Sequence, residues 1–192
     1  MYRATALLAL REKVDLADEE KVVNLLKNSK LEMRNPLAPK ELDGRLTTVI
    51  LNDEDVSWAI RTQKCGDGSS KVALLPKLRQ VLVRKQQEIA DQQNVVMEGR
   101  DITFRVLPTA NLKIFLTADV QSRALRRHAQ YLNKGVSISL EEVQQEIKER
   151  DDRDMKRNTD PLQIVKEAWV LDTSNLEIPE VVDLIIQKVK TL

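Results

Sequence analysis

The second half of the 192-residue chain contains three short apolar runs, at residues 94–97, 112–116 and 168–172. Helical patterns lie between and after these runs, at about 119–133, 140–156 and 179–190. Buried strands that alternate with helices are typical of α/β proteins with a parallel sheet. The alternation therefore predicts an α/β layered core in which the three runs are strands.

The first half of the chain predicts several helices and a small antiparallel ribbon. Residues 31–52 alternate in polarity and contain two prolines, which favours a β ribbon inserted on the core. Residues 64–70 read Lys-Cys-Gly-Asp-Gly-Ser-Ser, a composition that predicts a loop. Helices are expected at about 2–13, 18–27, 53–61 and 71–90.

Composition argues against several classes of protein. The formal net charge is +1, whereas a nucleic-acid binder would show a basic excess. A single cysteine, Cys65, gives no disulfide framework or metal cluster, and it is expected to be a passive thiol in a reducing cytosol. No apolar run reaches the roughly 18 residues that span a bilayer. We expect a cytoplasmic protein with no nucleic-acid or membrane partner.

Residues 146–157 carry a charge at ten of their twelve positions. The run follows Ser139 and Glu142, the pattern of a capping box, so a helix is expected to begin at about residue 140. One interpretation of the run is a solvated helix face with i,i+4 ion pairs between Glu and Arg.

The spacing within this run allows a second interpretation. Arg150, Asp154 and Arg157 stand at i, i+4 and i+7, so they share one helical face. Two guanidinium groups can bind phosphate bidentately, and a carboxylate between them can orient one of them. Charge alone leaves both interpretations open.

The run at 94–97 leads directly into Glu98-Gly99-Arg100-Asp101. In parallel α/β sheets, ligands bind beyond the carboxyl ends of the strands. Gly99 lets the backbone turn or approach a ligand closely. Arg100 then offers a phosphate clamp and Asp101 an acceptor. The alternative is an ordinary turn with a surface ion pair.

Taken in order, many segments of the chain resemble bacterial cytidylate kinases. They are V-V-M-E-G-R-D, L-P-T-A-N-L-K-I-F-L-T-A, R-A-L-R-R-H, E-I-K-E-R-D-D-R-D, D-P-L and V-L-D-T-S, with Y-R-A-T-A-L-L-A-L, E-D-V-S-W-A-I-R-T and S-K-V-A-L-L-P-K-L-R upstream. The resemblance extends from Met1 to about Ile186. The ordered set is far more specific than any one motif.

This resemblance implies a nucleoside-monophosphate-kinase fold over a single domain, 1–192. Such a fold has a parallel sheet core with helices on both faces, a monophosphate-binding insert (here 29–92) and a lid region (here 126–157). The family transfers the γ-phosphoryl group of ATP to CMP or dCMP with Mg²⁺, giving CDP or dCDP and ADP. A complete chain is expected to act as a monomer.

The resemblance also implies which residues bind CMP. Ser70, Arg79 and Asp101 would bind the cytosine, and Arg3 and Arg100 would hold the CMP phosphate. Cytosine carries an N4 amine whose hydrogen bond a carboxylate can accept, and uracil lacks this donor. Asp101 is therefore expected to discriminate against UMP.

The remaining site residues are expected to serve phosphoryl transfer. Arg150, Asp154 and Arg157 would lie at the lid and the transferring phosphate, where positioning and charge stabilisation do most of the work. Arg126 and Arg127 would lie on the ATP side, the alternative being a solvated basic helix face. No protein residue is expected to bind a metal directly.

The chain also departs from the family pattern. The five glycines do not fit the phosphate loop G-x-x-x-x-G-K-[ST]. Met1-Tyr2-Arg3 matches an internal point of the family, so the N-terminal phosphate-loop segment and the first two core strands are expected to be missing. The run at 94–97 would then lose both sheet neighbours, which leaves backbone groups unpaired. We therefore expect this chain alone to be inactive and poorly stable.

Two local departures concern substrate binding. Phe104 replaces a small residue that the family has near the nucleotide, and residues 64–69 differ from the family's usual helix start. Two other functions stay open beside a kinase: a non-catalytic CMP-binding remnant or regulatory module, and an unrelated helical interaction protein.

Overall fold

The computed structural model of the chain describes residues 1–37, 39–133, 135–156 and 160–192. Its helices are α1 (Tyr2–Arg11), α2 (Glu19–Lys27), α3 (Gln63–Val72), α4 (Pro76–Gln92), α5 (Val120–Leu132), α6 (Leu140–Lys156) and α7 (Ile178–Val189). Its strands are β1 (Leu31–Arg34), β2 (Thr48–Leu51), β3 (Glu54–Asp55), β4 (Ile114–Thr117) and β5 (Trp169–Asp172). The chain divides into two compact units, Met1–Asn94 and Val95–Leu192.

Helix α1 is central to the first unit because both of its faces are buried. Its small side chains Ala6 and Ala9 face a cluster formed with α2, α3 and α4. Its opposite face, with Ala4 and Leu8, packs on β2 and the following turn. The large side chains that fill these two clusters are Val22, Leu26, Val72, Leu78, Leu82, Val49, Leu51, Val56 and Ile60.

The expected antiparallel ribbon is present in the first unit. Strand β1 pairs with β2, with Leu31 opposite Leu51, and β3 pairs with the end of β2. The segment between β1 and β2 is held by charge, because Arg34 binds the Glu41 carboxylate with two hydrogen bonds of 2.7 Å. These bonds, followed by those from the Leu37 backbone and the Thr48 hydroxyl, lower the pKa of Glu41 to about 2.

The prediction of a loop at 64–70 is wrong, since these residues belong to helix α3. The Thr62 hydroxyl caps the helix by accepting a hydrogen bond from the Cys65 backbone N–H at 3.3 Å. Gly68 brings α3 against α1, because a Cβ built on it would lie 3.0 Å from the Cβ of Ala6. A glycine that serves helix packing looks like a turn residue in the sequence.

The expected helix at 53–61 is also wrong in its first part. Residues Glu54–Asp55 form strand β3, and a short 3₁₀ turn follows at Ala59–Arg61. Helix α4 begins at Pro76 rather than at about 71, because proline suits the first turn of a helix but not its interior.

The second unit contains a parallel strand pair flanked by helices. Strands β4 and β5 run parallel, with Ile114 opposite Trp169 and Thr117 opposite Asp172. Helices α5 and α6 pack together, and Ala124 and Val143 are their fully buried residues among those described. The chain thus has an α/β architecture with a small parallel sheet, as the alternating pattern predicts.

The third predicted strand, at 94–97, does not form. These residues have no regular structure, and Val96 is fully exposed. A strand needs a neighbour for its N–H and C=O groups, and within the described ranges β4 and β5 pair only with each other. The apolar run at 94–97 thus indicated residues suited to a β-sheet, but the described part of the chain supplies no strand for them to pair with. No helix among the described residues is long and apolar enough to cross a membrane.

Candidate functional site

An ion-pair cluster in the second unit joins the Gly99-Arg100-Asp101 turn to helix α6. Nε of Arg100 lies 3.0 Å from Oδ2 of Asp154, and Nε of Arg150 lies 3.9 Å from the same oxygen. The Asp154 side chain is 21% exposed, whereas those of Arg100 and Arg150 are 41% and 62% exposed. A shielded carboxylate thus lies beside two solvent-accessible guanidinium groups as an ion pair, and its Oδ2 accepts no hydrogen bond among the described residues. Two neighbouring guanidinium groups are suited to an anion such as phosphate.

Helix α6 presents this cluster as the spacing predicts for Arg150 and Asp154. The expected capping box is formed: Ser139 N donates to Glu142 Oε2 at 2.9 Å, and Glu142 N donates to Ser139 Oγ at 3.2 Å. The Ser139 backbone N–H, and after it the Ser139 side chain, holds the pKa of the Glu142 carboxyl group below its usual range. The third predicted residue of this face, Arg157, lies outside the described residues.

The opposite side of α6 carries ordinary surface charge. Lys156 Nζ lies 2.9 Å from Asp152 Oδ2, and both side chains are mostly exposed. On the side that carries Arg150, the Glu146 carboxylate accepts a hydrogen bond from Tyr131 Oη of α5 at 3.2 Å. The solvated-face interpretation fits Asp152 and Lys156, and the phosphate-binding interpretation of Arg150, Asp154 and Arg157 stays a prediction.

Asp101 begins a π-helical turn, Ile102–Val106, and is only 7% exposed. Its carbonyl accepts hydrogen bonds from the Arg105 N–H at 2.8 Å and the Val106 N–H at 3.4 Å. A Cβ on Gly99 would lie 2.9 Å from Cγ1 of Ile102, so this position requires glycine. Irregular helical turns of this kind are frequent at functional sites.

Three of the predicted CMP-binding residues lie in the first unit around helix α3. Arg3 Nη1 donates to the carbonyls of Ile60 and Thr62 at 3.1 and 3.4 Å. The Ser70 hydroxyl donates to the Gly66 carbonyl at 3.4 Å. Gly66 also lies against Arg3, since a Cβ there would be 3.2 Å from Arg3 Nη2.

Arg79 of α4 is the third of these residues, and it is only 3% exposed. Its Nη1 donates to the carbonyl of Ala73 at 3.2 Å, and its guanidinium carbon lies 5.9 Å from the centre of the Tyr2 ring. A buried charge must be compensated by hydrogen bonds or opposite charge. Arg79 is thus held at the end of α3, adjacent to the helix that carries Arg3.

Arg126 and Arg127 have different surroundings on helix α5. Arg126 donates to the carbonyls of Thr173 and Leu176, so it supports the turn that follows β5. Arg127 lies over the Tyr131 ring, 4.6 Å from its centre. Neither side chain is a simple solvated charge, and the assignment of both to the ATP side stays a prediction.

Sequence reasoning missed a polar group at the carboxyl ends of β4 and β5. Ser174 Oγ accepts from the Asp119 N–H at 2.9 Å and donates to Asp172 Oδ1 at 2.6 Å. Asp119 caps helix α5 by accepting from Ser122 N at 2.7 Å, which lowers its pKa. Hydrogen bonds from Ser174 likewise lower the pKa of Asp172. The capping pattern Asp-x-x-Ser at the end of an apolar run is a signal that finds Asp119.

The described residues contain no group of three or more His, Cys, Asp or Glu side chains that could hold a metal ion. Mg²⁺ in kinases is commonly held in large part by substrate phosphates.

Comparison with known proteins places this arrangement in a family. The sequence model described as cytidylate kinase matches residues 1–191. The chain belongs to the cytidylate kinase family. The cytidylate kinase of Caldanaerobacter subterraneus subsp. tengcongensis is 42% identical over 190 residues, which cover 99% of this chain and 80% of the relative. The cytidylate kinase of Bacillus thuringiensis strain Al Hakam is 42% identical over 186 residues, covering 96% and 79%.

Membership of the cytidylate kinase family applies to the segments that carry each of the clusters described above. The family match includes both units, and therefore both the residues around α3 and the Arg100–Asp154–Arg150 cluster. Of the ten predicted site residues, nine fall within the described residues and Arg157 does not.

Proposed function

We propose that this chain phosphorylates CMP or dCMP, with ATP as the phosphoryl donor, giving CDP or dCDP and ADP. The observation that carries the proposal is the Arg100–Asp154–Arg150 cluster, which joins the Gly99-Arg100-Asp101 turn to helix α6 in a chain of the cytidylate kinase family. Phosphoryl transfer demands positioning and charge stabilisation more than covalent chemistry by the protein. Two oriented arginines supply both.

In the proposed mechanism, Arg100 and Arg3 hold the phosphate of CMP. Arg150 and Arg157 stabilise the negative charge that spreads over the transferring phosphoryl oxygens. Asp154 pairs with Arg100, with Nε and Oδ2 3.0 Å apart, and its negative charge favours this placement of the guanidinium group. Orientation set before the reaction lowers the barrier because little reorganisation is left to the transition state.

The proposed cytosine site uses Ser70, Arg79 and Asp101. The Asp101 carboxylate would accept a hydrogen bond from the N4 amine, and Arg79 would donate to the O2 or N3 acceptors of the ring. The burial of Asp101 and Arg79 supports this proposal, since polar groups shielded from water discriminate strongly against a ligand that leaves them unpaired.

The organisation of the chain follows from the same proposal. Residues 29–92 would be the monophosphate-binding insert and residues 126–157 the lid, within a nucleoside-monophosphate-kinase fold whose parallel sheet includes β4 and β5. Arg126 and Arg127 would lie on the ATP side. A monomer acting in the cytoplasm is proposed, and the buried free thiol of Cys65 suits such a reducing compartment.

The glycine pattern favours a second candidate, a CMP-binding module without kinase activity. None of the five glycines stands in a phosphate-loop pattern, so the 192 residues do not themselves offer the usual cradle for the ATP phosphates. In this second candidate, the 192 residues bind CMP, and turnover occurs only when a phosphate loop is supplied in addition.

The test is an assay of Mg²⁺ATP-dependent conversion of CMP to CDP, with UMP and AMP as control substrates. The 192 residues are compared with the same chain preceded by a segment that contains a phosphate loop of the pattern G-x-x-x-x-G-K-[ST]. CMP-selective turnover by the extended chain is expected. Calorimetry with CMP alone is expected to show binding by both forms. Absence of both binding and turnover would exclude the proposed function.

A further inference from the structure

The half of helix α6 that carries Arg150 and Asp154 has no apolar anchor. Val143 is fully buried in the first turn of the helix. From residue 148 to 156 no residue is buried, and only Asp151 and Asp154 are even half-buried. Apolar packing therefore cannot hold this half of the helix in place.

An ion pair to helix α5 holds this half of the helix instead. Arg123 Nη1 of α5 lies 2.7 Å from Asp151 Oδ2, and the two side chains are 33% and 23% exposed. Arg123 Nε also donates to the carbonyl of Ala118, directly after β4, at 3.0 Å. The guanidinium group thus connects the end of the parallel sheet to the catalytic half of α6. A partly shielded ion pair such as this one is screened less by dissolved ions than a fully exposed pair.

The Arg123–Asp151 contact and the Arg100–Asp154 pair hold the same half of the helix. Successive residues of an α-helix are about 100° apart around its axis. Asp151 and Asp154 stand three residues apart, so their side chains project about 60° from each other and share the shielded side of the helix. Two ion pairs at successive points along this side hold the helix, which a single contact would leave free to pivot.

We propose that Arg123 and Asp151 are positioning residues that hold the catalytic half of α6, and with it Arg150 and Asp154, in the orientation needed for phosphate binding. The catalytic consequence rests on the proposed function, whereas the anchoring itself does not. A displacement of about 1 Å in a positioned group can cost about 100-fold in rate. The Arg123–Asp151 pair would set kcat without touching a substrate.

The anchoring is tested by amide hydrogen exchange on the 192-residue chain. Asp151→Asn keeps the size of the side chain and removes its charge. Asp152→Asn is the matched control, because Asp152 is the next residue of the same helix and pairs with Lys156 on the exposed side. Exchange over 148–156 is expected to become about fivefold faster in Asp151→Asn, with 140–147 and the Asp152→Asn protein unchanged. Equal exchange in both variants, or a general increase across Val95–Leu192, would overturn the proposal.

The effect of the Arg123–Asp151 pair on catalysis is tested with the 192 residues preceded by a phosphate-loop segment, here called the loop-extended chain. Asp151→Asn is expected to lower kcat about tenfold while KM for CMP changes less than threefold. In an Arg150→Lys background the same change is expected to have little further effect, because the group that Asp151 positions is already altered. Effects that multiply would overturn the positioning role. Absence of CMP turnover by the unmutated chain would count against the proposed function and leave the exchange result to decide the anchoring.

A charge exchange completes the experiment. The double variant Arg123→Asp with Asp151→Arg reverses the pair, and it is expected to recover at least part of the slow exchange that either single change abolishes. Arg123→Lys is expected to retain only part of the protection from hydrogen exchange over 148–156, since a lysine cannot supply two donors in the fixed geometry of a guanidinium group.

Discussion

The Nε of Arg100 and the Oδ2 of Asp154 lie 3.0 Å apart, joining the turn after residues 94–97 to the middle of the charged helix α6. Asp154 is the more shielded partner, at 21% exposed against 41% for Arg100. The Asp154 carboxylate is therefore the less hydrated partner of this ion pair.

Asp154→Asn is expected to lower kcat/KM for CMP about 100-fold, because the arginines on either side lose the charge that orients them. Steady-state kinetics of the loop-extended chain measure this. Asp152→Asn, which changes the same charge on the exposed side of the helix, is expected to stay within twofold of the unmutated protein. Similar losses in both variants would show that net charge, rather than orientation, is what matters.

Asp101→Asn is expected to change substrate choice. An amide can donate a hydrogen bond to the O4 of uracil, whereas the carboxylate accepts one from the N4 of cytosine. The ratio of kcat/KM for CMP to that for UMP should fall at least tenfold. Competition assays with both nucleotides measure the ratio directly. A parallel loss for CMP and UMP would instead indicate that Asp101 supports the π-helical turn and does not contact the base.

Two glycines of helix α3 are expected to respond oppositely to alanine. At Gly68 the new methyl group would meet the Cβ of Ala6 at 3.0 Å, which forces α1 and α3 apart. Overpacking typically costs ~1–3 kcal/mol and the better helix propensity of alanine returns at most ~1 kcal/mol, so a net loss of stability is expected. Urea unfolding monitored by circular dichroism measures it, and Ala6→Gly in the same chain should restore much of the loss.

At Gly66 the neighbour is the flexible end of Arg3, 3.2 Å from the new Cβ. Arg3 can move, so Gly66→Ala is expected to leave stability unchanged or slightly raised. Because Arg3 is the proposed phosphate ligand, calorimetry should show weaker CMP binding. An unstable Gly66→Ala protein, or one that binds CMP normally, would contradict this pairing of effects.

Acid stability of the first unit is expected to depend on Glu41. Its pKa in the folded chain is about 2, against an ordinary 4.5, because Arg34 and then Leu37 N–H donate to the carboxylate. A depressed carboxyl pKa contributes stability that is full above about pH 5 and is lost as pH falls towards 2. Glu41→Gln should thus be less stable at pH 7, and its difference from the unmutated chain should shrink between pH 5 and 2.

Trp58 fluorescence in a Trp169→Phe background reports this unfolding in the first unit alone. Glu12→Gln, a change at an exposed position just after α1, serves as the control and should follow the unmutated chain at every pH. A Glu41→Gln protein whose deficit persists unchanged at pH 2.5 would exclude the proposed linkage.

The sequence predicted the helices of the second unit well because their signals are local. The capping box of Ser139 and Glu142 and the spacing of Arg150 and Asp154 depend only on neighbouring residues. The errors concern contacts between distant segments. Gly68 looked like a turn residue because Ala6, the reason for its small size, is far away in the sequence. The run at 94–97 looked like a strand because periodicity registers apolar character and not the presence of a pairing partner.

The candidate site shows the same limit. The motif around Asp154 indicated a phosphate-binding face, but its partner Arg100 could be identified only as a residue of another motif. The proposed role of Arg123 was missed because it depends on Asp151, and no spacing rule relates residues of two different helices.

The absence of buried apolar side chains in the second half of α6 has a consequence for the solution around the protein. Ion pairs that are partly exposed weaken as dissolved ions screen them, with a screening length of about 10 Å at 0.1 M salt and about 3 Å at 1 M. The hydrophobic clusters around α1 have no such dependence. Increasing ionic strength should therefore loosen the catalytic half of α6 well before it affects the folded state as a whole.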